Sequence, residues 1–291
     1  IMDTSSIDSI DRKPDMRLRL LNAASFLGVM AVNYTAGKNI GDISDKYPTE
    51  LTPAGYAFAI WAMIYLGLFA FVFYQTFLTT DMSCRIVKEI GYLFVISNFL
   101  NAGWIFLFTT NTPTSIGFSC LFILSLLACN FYIQSKSNSW KEKNQHTLAD
   151  IIITDVTFSF YNGWVTVASI VNITIFLKSI GVDAEKQTAC VWAAVMVVVA
   201  ALINLMIIVR QKDPVIPLVY IWAVLAIRHS HISDGDSDDN DKMVGWVIIC
   251  CVIVVAIAQC ILIKHLISSR DQVRKAQGLS ISSFLISSNN A

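Results

Sequence analysis

The chain has 291 residues, equal numbers of acidic and basic side chains, 55% hydrophobic and only 14% charged content, and a mean hydropathy of +0.59. A soluble domain carries about 25% charged residues, so this composition excludes an ordinary soluble fold, and with zero net charge nothing suggests a nucleic-acid partner. Seven cysteines are spread along the chain, several in apolar runs, with no CxxC and no Cys/His metal spacing. They read as small apolar fillers and not as a disulfide framework.

Residues 1–17 form a polar tail that lacks the basic and apolar regions of a signal peptide. Eight apolar spans follow, at 20–36, 54–78, 90–108, 115–134, 151–177, 189–209, 214–227 and 244–263. The fold class is therefore all-α, a polytopic membrane helix bundle of about eight transmembrane helices. Most connecting loops are short, which implies antiparallel neighbours. The chain divides into the tail, a five-span unit at 18–178, three further spans at 179–266, and a polar, Ser-rich C-terminal tail at 267–291, part helix and part disordered.

The first span is weakened by Asn22, Ser25 and Asn33. The second is the strongest: 25 residues from Ala54 to Leu78 carry no charge, enough helix to cross a hydrocarbon core of about 30 Å at about 1.5 Å per residue. Pro53 stands just before its first turn, where a missing N–H costs nothing. Phe58, Trp61 and Tyr65 follow at i, i+3 and i+7, on one helix face. The third span repeats that spacing with Asn101, Trp104 and Phe108, and adds Asn98 nearby. Amides in hydrocarbon need partners, from another helix or from a ligand.

The fifth span is polar on two sides. At 100° per residue, Asp155, Ser159, Asn162, Thr166 and Ser169 fall on one line, with Tyr161, Trp164, Ala168 and Asn172 opposite. Asp155 is expected to lie buried with its stripe, and an intramembrane carboxylate points to a proton or polar path. A carboxylate capping the first turn is the other reading of Asp155. Gly-Trp pairs recur at Gly103-Trp104, Gly163-Trp164 and Gly245-Trp246, a device for close helix packing.

The seventh span has only 14 residues and begins with Pro214 and Pro217, so its crossing is tested by charge. With eight spans, 15 of the 21 Lys and Arg fall on the side of both termini and six on the other. If span seven did not cross, the split would be 11 to 10. The asymmetry supports eight spans with both termini cytoplasmic. The 228–243 loop carries five aspartates. Asp234, Asp236 and Asp238 mimic the start of a calcium loop, but Gly at the sixth position and an acid at the twelfth are missing. The loop reads as a solvated acidic surface.

Enzyme chemistry finds no support. His146, His229, His231 and His265 lie at span edges or in loops, and no neighbouring Cys or Glu completes a metal set around His229 and His231. No phosphate loop or nucleophile elbow is present. One loose sterol-type pattern, Lys88-x3-Tyr92-x2-Val95, stands before span three.

Three spaced patterns carry a family resemblance: Pro53, Trp61 and Tyr65; Leu100, Asn101, Trp104, Phe106 and Phe108; and Tyr161, Trp164, Ala168 and Asn172. Together they resemble the TspO/MBR family of tryptophan-rich sensory proteins, related to mitochondrial translocator protein, over residues 18–178. Thr52, Gly55 and Phe160 depart from the family's usual residues. The resemblance implies a TspO-like five-helix core that binds or transports a hydrophobic small molecule, a haem or porphyrin or a sterol-like lipid. It also implies a homodimer in the lipid bilayer and no required cofactor. A pocket is expected between Phe58, Trp61, Tyr65, Trp104, Tyr161 and Trp164, with Asn101 and Asn172 as polar anchors and Pro53 with the 37–53 loop closing it. Two other readings stand beside it: a scaffold subunit of a membrane complex, and a proton-coupled secondary transporter using Asp155.

Overall fold

The computed structural model describes residues 15–37, 40–78, 81–141, 147–182, 184–232 and 238–288. Residues 1–14 of the N-terminal tail and 233–237 of the acidic loop, including Asp234 and Asp236 of the calcium-like pattern, lie outside them. Helices account for every regular element among the described residues. They are α1 (Met16–Thr35), α2 (Ile40–Lys46), α3 (Ile60–Phe77, entered through a 3-10 turn at Gly55–Ala59), α4 (Asp81–Ile90), α5 (Leu93–Thr109) and α6 (Pro113–Lys141). Then come α7 (Leu148–Ser179), α8 (Lys186–Gln211), α9 (Ile216–Ile232) and α10 (Asp239–Ser288).

Each of the eight expected spans is a helix. Five segments, in α3, α6, α7, α8 and α10, are by themselves long and apolar enough to cross a membrane. Helices α5 and α9 are apolar but shorter, at 17 residues each, about 26 Å at the α-helical rise. Helix α9 is longer than its 14-residue apolar stretch because His229 and His231 continue it. Helix α10 continues into the C-terminal tail as far as Ser288, and 289–291 lie outside the described residues. The outer surface is apolar, with Leu27, Leu66, Phe99, Val209 and Trp246 more than half exposed. Such a surface suits lipid and not water.

Side-chain bonds sort the helix ends into two groups. At one end Lys46 meets Asn111, Lys178 meets the Pro48 carbonyl, and Lys186 and His231 meet Asp241. At the other, Asn22 meets Gln75, Gln134 meets Asp213, and Gln259 meets the Pro214 carbonyl. The eight long helices therefore alternate in direction, and α9 runs the full height between the two ends of α8.

Two large clusters of buried side chains form most of the interior, and a small third joins Ile43, Phe108, Ile116 and Ile175. One joins α1, α3, α5, α6 and α7, and α9 adds Val219, Ala223 and Ala226 to it. The other joins α8, α9 and α10. Helix α9 thus belongs to both. Its backbone accepts from Ala54 N at the Ala226 carbonyl (3.1 Å), and its Trp222 Nε1 donates to the Ala57 carbonyl (3.3 Å), which ties it to the turn that opens α3. A Cβ on Gly163 would lie 2.7 Å from Val219 Cβ, and one on Gly103 2.4 Å from the Phe122 ring. Two Gly-Trp pairs are therefore close-packing devices. The third is not: a Cβ on Gly245 would meet nothing nearer than 3.9 Å, and Trp246 points outward.

Cysteines placed at Gln211 and Asp239, on either side of α9, should react with an impermeant thiol reagent from opposite faces of sealed vesicles once native cysteines are replaced. Labelling of both from one face would mean that α9 does not cross.

Candidate functional site

The chain enters α3 through Pro53 and the 3-10 turn, and this sets Phe58, Trp61 and Tyr65 toward the bundle. Trp61 is the hub. Its ring stacks on Tyr65 (centroids 5.4 Å apart, planes at 17°) and on Trp104 (5.8 Å, 27°). It meets Tyr161 and Trp164 edge-on at 6.1 and 6.4 Å, and Phe58 meets Trp164 edge-on at 5.8 Å. These distances lie in the range where ring pairs attract beyond simple area burial, by about 0.5–1.5 kcal/mol each. Trp104, Tyr161 and Trp164 are buried, while Phe58, Trp61 and Tyr65 are half-buried. Rings from α3, α5 and α7 therefore converge on one place.

Amides hold the rings. Trp104 Nε1 donates to Asn172 Oδ1 at 2.7 Å, and Asn172 Nδ2 donates to Ser119 Oγ at 3.0 Å. Asn101 Nδ2 donates to Tyr161 Oη at 2.6 Å. Asn33 Nδ2 donates to Asn101 Oδ1 at 3.4 Å, and Tyr65 Oη donates to Asn33 Oδ1 at 2.6 Å. Asn101 and Asn172 thus spend their amides on ring partners instead of standing free as anchors. Asn33 and Ser119 were not singled out from sequence. The one signal for Asn33 is a polar residue inside an apolar span, which by itself only weakens that span.

Two spaces adjoin the rings. A small cavity of about 40 Å³ lies between Trp61, Trp104, Phe108, Trp164 and Asn172. A cleft of about 600 Å³ opens beside it, lined by Asn33, Ile40, Asp45, Pro53, Phe58, Trp61 and Tyr65. The two share Ile40, Ser44, Pro53, Phe58 and Trp61. The inner cavity has room for water; the cleft falls in the size range of small-molecule sites. Part of the 37–53 connection is folded as α2, which forms one wall of the cleft and is tied down by Lys46 Nζ donating to Asn111 Oδ1 at 3.0 Å. Trp164 Nε1 is buried without a hydrogen-bond partner, so one indole donor beside the inner cavity is unused.

The polar stripe of α7 is arranged differently from its projection. Asp155 is half-buried and accepts from Thr154 Oγ1 at 3.0 Å. Ser159 and Asn162 are buried elsewhere, against α6 and the α8–α9 turn. Asn162 Nδ2 donates to Gln134 Oε1 at 2.7 Å, and Gln134 Nε2 and Ser159 Oγ both donate to Asp213 Oδ2. The other Asp213 oxygen accepts from the Val215 and Ile216 backbone and caps α9. Residues Ile151–Val156 form a π turn, whose i→i+5 bonding breaks the 100° spacing and turns Asp155 away from the line of Ser159. Thr166 and Ser169 bond back to carbonyls of their own helix. Asp150, buried and bonded to Tyr74 Oη at 2.5 Å, is a second acid within the bundle.

A family model described as TSPO-like protein matches residues 19–261. The chain belongs to that family. The match to the TSPO-like family runs beyond the five-span unit and into α10. No curated protein and no solved structure matches the chain. The family match places the ring cluster in a TSPO-like membrane bundle.

Asn172→Ala should lower stability in detergent by about 1–3 kcal/mol, since it leaves the buried Trp104 N–H unpaired; thermal unfolding followed by Trp fluorescence measures it. Asp213→Ala removes a cap and the partner of Gln134 and Ser159. It should cost about 2–3 kcal/mol, more than Asp155→Asn, whose side-chain oxygen still accepts from Thr154.

Proposed function

We propose that this integral membrane TSPO-like protein binds and moves a flat hydrophobic ligand, a tetrapyrrole or a sterol-like lipid, through the cleft above Trp61. The convergence of rings from three helices beside a ligand-sized cleft supports the reading. A flat ligand lying on Trp61 and Tyr65 gains roughly 25 cal/mol per Å² of apolar surface removed from water. Asp45 lines the cleft for any polar edge. No bound cofactor is required, and a haem or porphyrin enters as ligand. We place both termini on the cytoplasmic side from the 15-to-6 division of basic residues, which puts the cleft and α2 on the opposite side.

A proton-coupled reading has one observation in its favour, the half-buried Asp213 carboxylate of the α8–α9 turn against Ser159 and Gln134. That reading would use Asp213 in place of Asp155.

Protoporphyrin IX and cholesterol, titrated into the purified protein, should quench intrinsic Trp fluorescence saturably in at least one case. Trp61→Ala should weaken that binding tenfold or more, about 1.4 kcal/mol, and Trp246→Ala, on the outer surface, should leave the affinity unchanged. Equal affinities for all three proteins would move the site away from the cleft. Absence of saturable binding would favour the scaffold reading.

A further inference from the structure

At the end of the bundle that carries α2, Glu50, His231 and Asp241 come together from the 47–54 loop, the last turn of α9 and the first turn of α10. One ligand atom from each lies within 4.8 Å of the others. The His231 side chain is only 5% exposed. Its Nε2 stands 2.9 Å from the Glu50 backbone carbonyl, which can only accept, so Nε2 carries the proton of that bond. The neutral ring then has its lone pair on Nδ1. That lone pair faces two carboxylates, Asp241 Oδ1 at 2.9 Å and Glu50 Oε2 at 3.6 Å. No hydrogen-bond donor among the described residues faces Nδ1. Lone pair against carboxylate is repulsive, so the contact calls for a proton on Nδ1 or a metal ion bound by both atoms.

The charge balance indicates which one. Three carboxylates, Glu50, Asp238 and Asp241, stand in this contact network against one ammonium, Lys186, which bonds Asp241 at 2.8 Å and Asp238 at 3.1 Å. Among the described residues, and with His231 neutral, the network lacks two positive charges. A proton on His231 supplies one; a divalent cation supplies both.

We propose that Glu50, His231 and Asp241 bind a divalent transition ion of the Zn²⁺ type through Nδ1 and one oxygen of each carboxylate. Mixed imidazole and carboxylate donors suit such an ion, with water completing the shell. The surroundings match what metal ligands need: the free ring N–H is fixed on a backbone carbonyl, and the second Asp241 oxygen is bonded to Lys186. The Glu50 side chain is the most exposed of the three, at 29%, and has room to close on the ion. Glu50 and Lys186 also line a cleft of about 540 Å³ beside Trp192, which gives the ion a way in. The site clasps the 47–54 loop to α9 and α10. It is separate from the aromatic cleft and does not depend on the ligand reading.

The test is calorimetric titration of chelator-treated full-length protein with ZnCl₂ near pH 7.5, with thermal melting alongside. One ion per chain should bind and raise the melting temperature. Glu50→Gln, which keeps the backbone carbonyl for His231, should melt like the metal-free wild type and bind at least tenfold more weakly. His229→Gln, outside the set, should bind like the wild type. No stoichiometric binding, or equal losses in Glu50→Gln and His229→Gln, would overturn the proposal. So would ¹⁵N spectra showing His231 doubly protonated in the presence of Zn²⁺, which would make the clasp a proton-held one.

Discussion

An amide or indole N–H inside hydrocarbon has no water to bond, so it must find a partner on another helix. In this bundle those obligations fall on the ring cluster. Asn172 on α7 satisfies Trp104 on α5 and reaches Ser119 on α6; Asn101 on α5 satisfies Tyr161 on α7; Asn33 on α1 links Asn101 to Tyr65 on α3. Five helices are bound to one another through the same side chains that shape the aromatic site. The amides therefore act as interhelical ties and as ring holders at once. What remains for a ligand is ring surface, the cleft, and the unused Trp164 N–H.

The later helices are not an appendage of the first five. Helix α9 inserts Val219 against Gly163, only one residue from Trp164, and holds the turn before α3 through Ala226 and Trp222. A larger residue at 163 would push α9 and shift Trp164 with it. The span of the family match, 19–261, follows the same physical boundary.

The 47–54 loop is the shared element of both sites. Glu50 ties its first half to His231, and Pro53 in its second half walls the aromatic cleft. Whatever charge holds Glu50 in place also limits how far Pro53 and α2 can move. The positions of loop, α9 and α10 are thus linked through three side chains.

Sequence alone determined the spans, their alternation, and which rings share a helix face. These are local properties: apolar runs and 3.6-residue spacing act within one helix, and the basic split reports which loops lie together. The shared faces of Trp61, Trp104 and Trp164 were legible for that reason, and the three do meet. Only the tertiary structure decided the partners. A π turn rotated Asp155 off the line that regular helical spacing assigns it, and Asp213, from a turn with no pattern of its own, took the place beside Ser159. His231 has no acidic residue or cysteine in its own helix, and Glu50, distant in sequence, reaches it because α9 ends beside the loop that enters α3. Helix crossing and loop path set such meetings, and neither leaves a mark in local spacing.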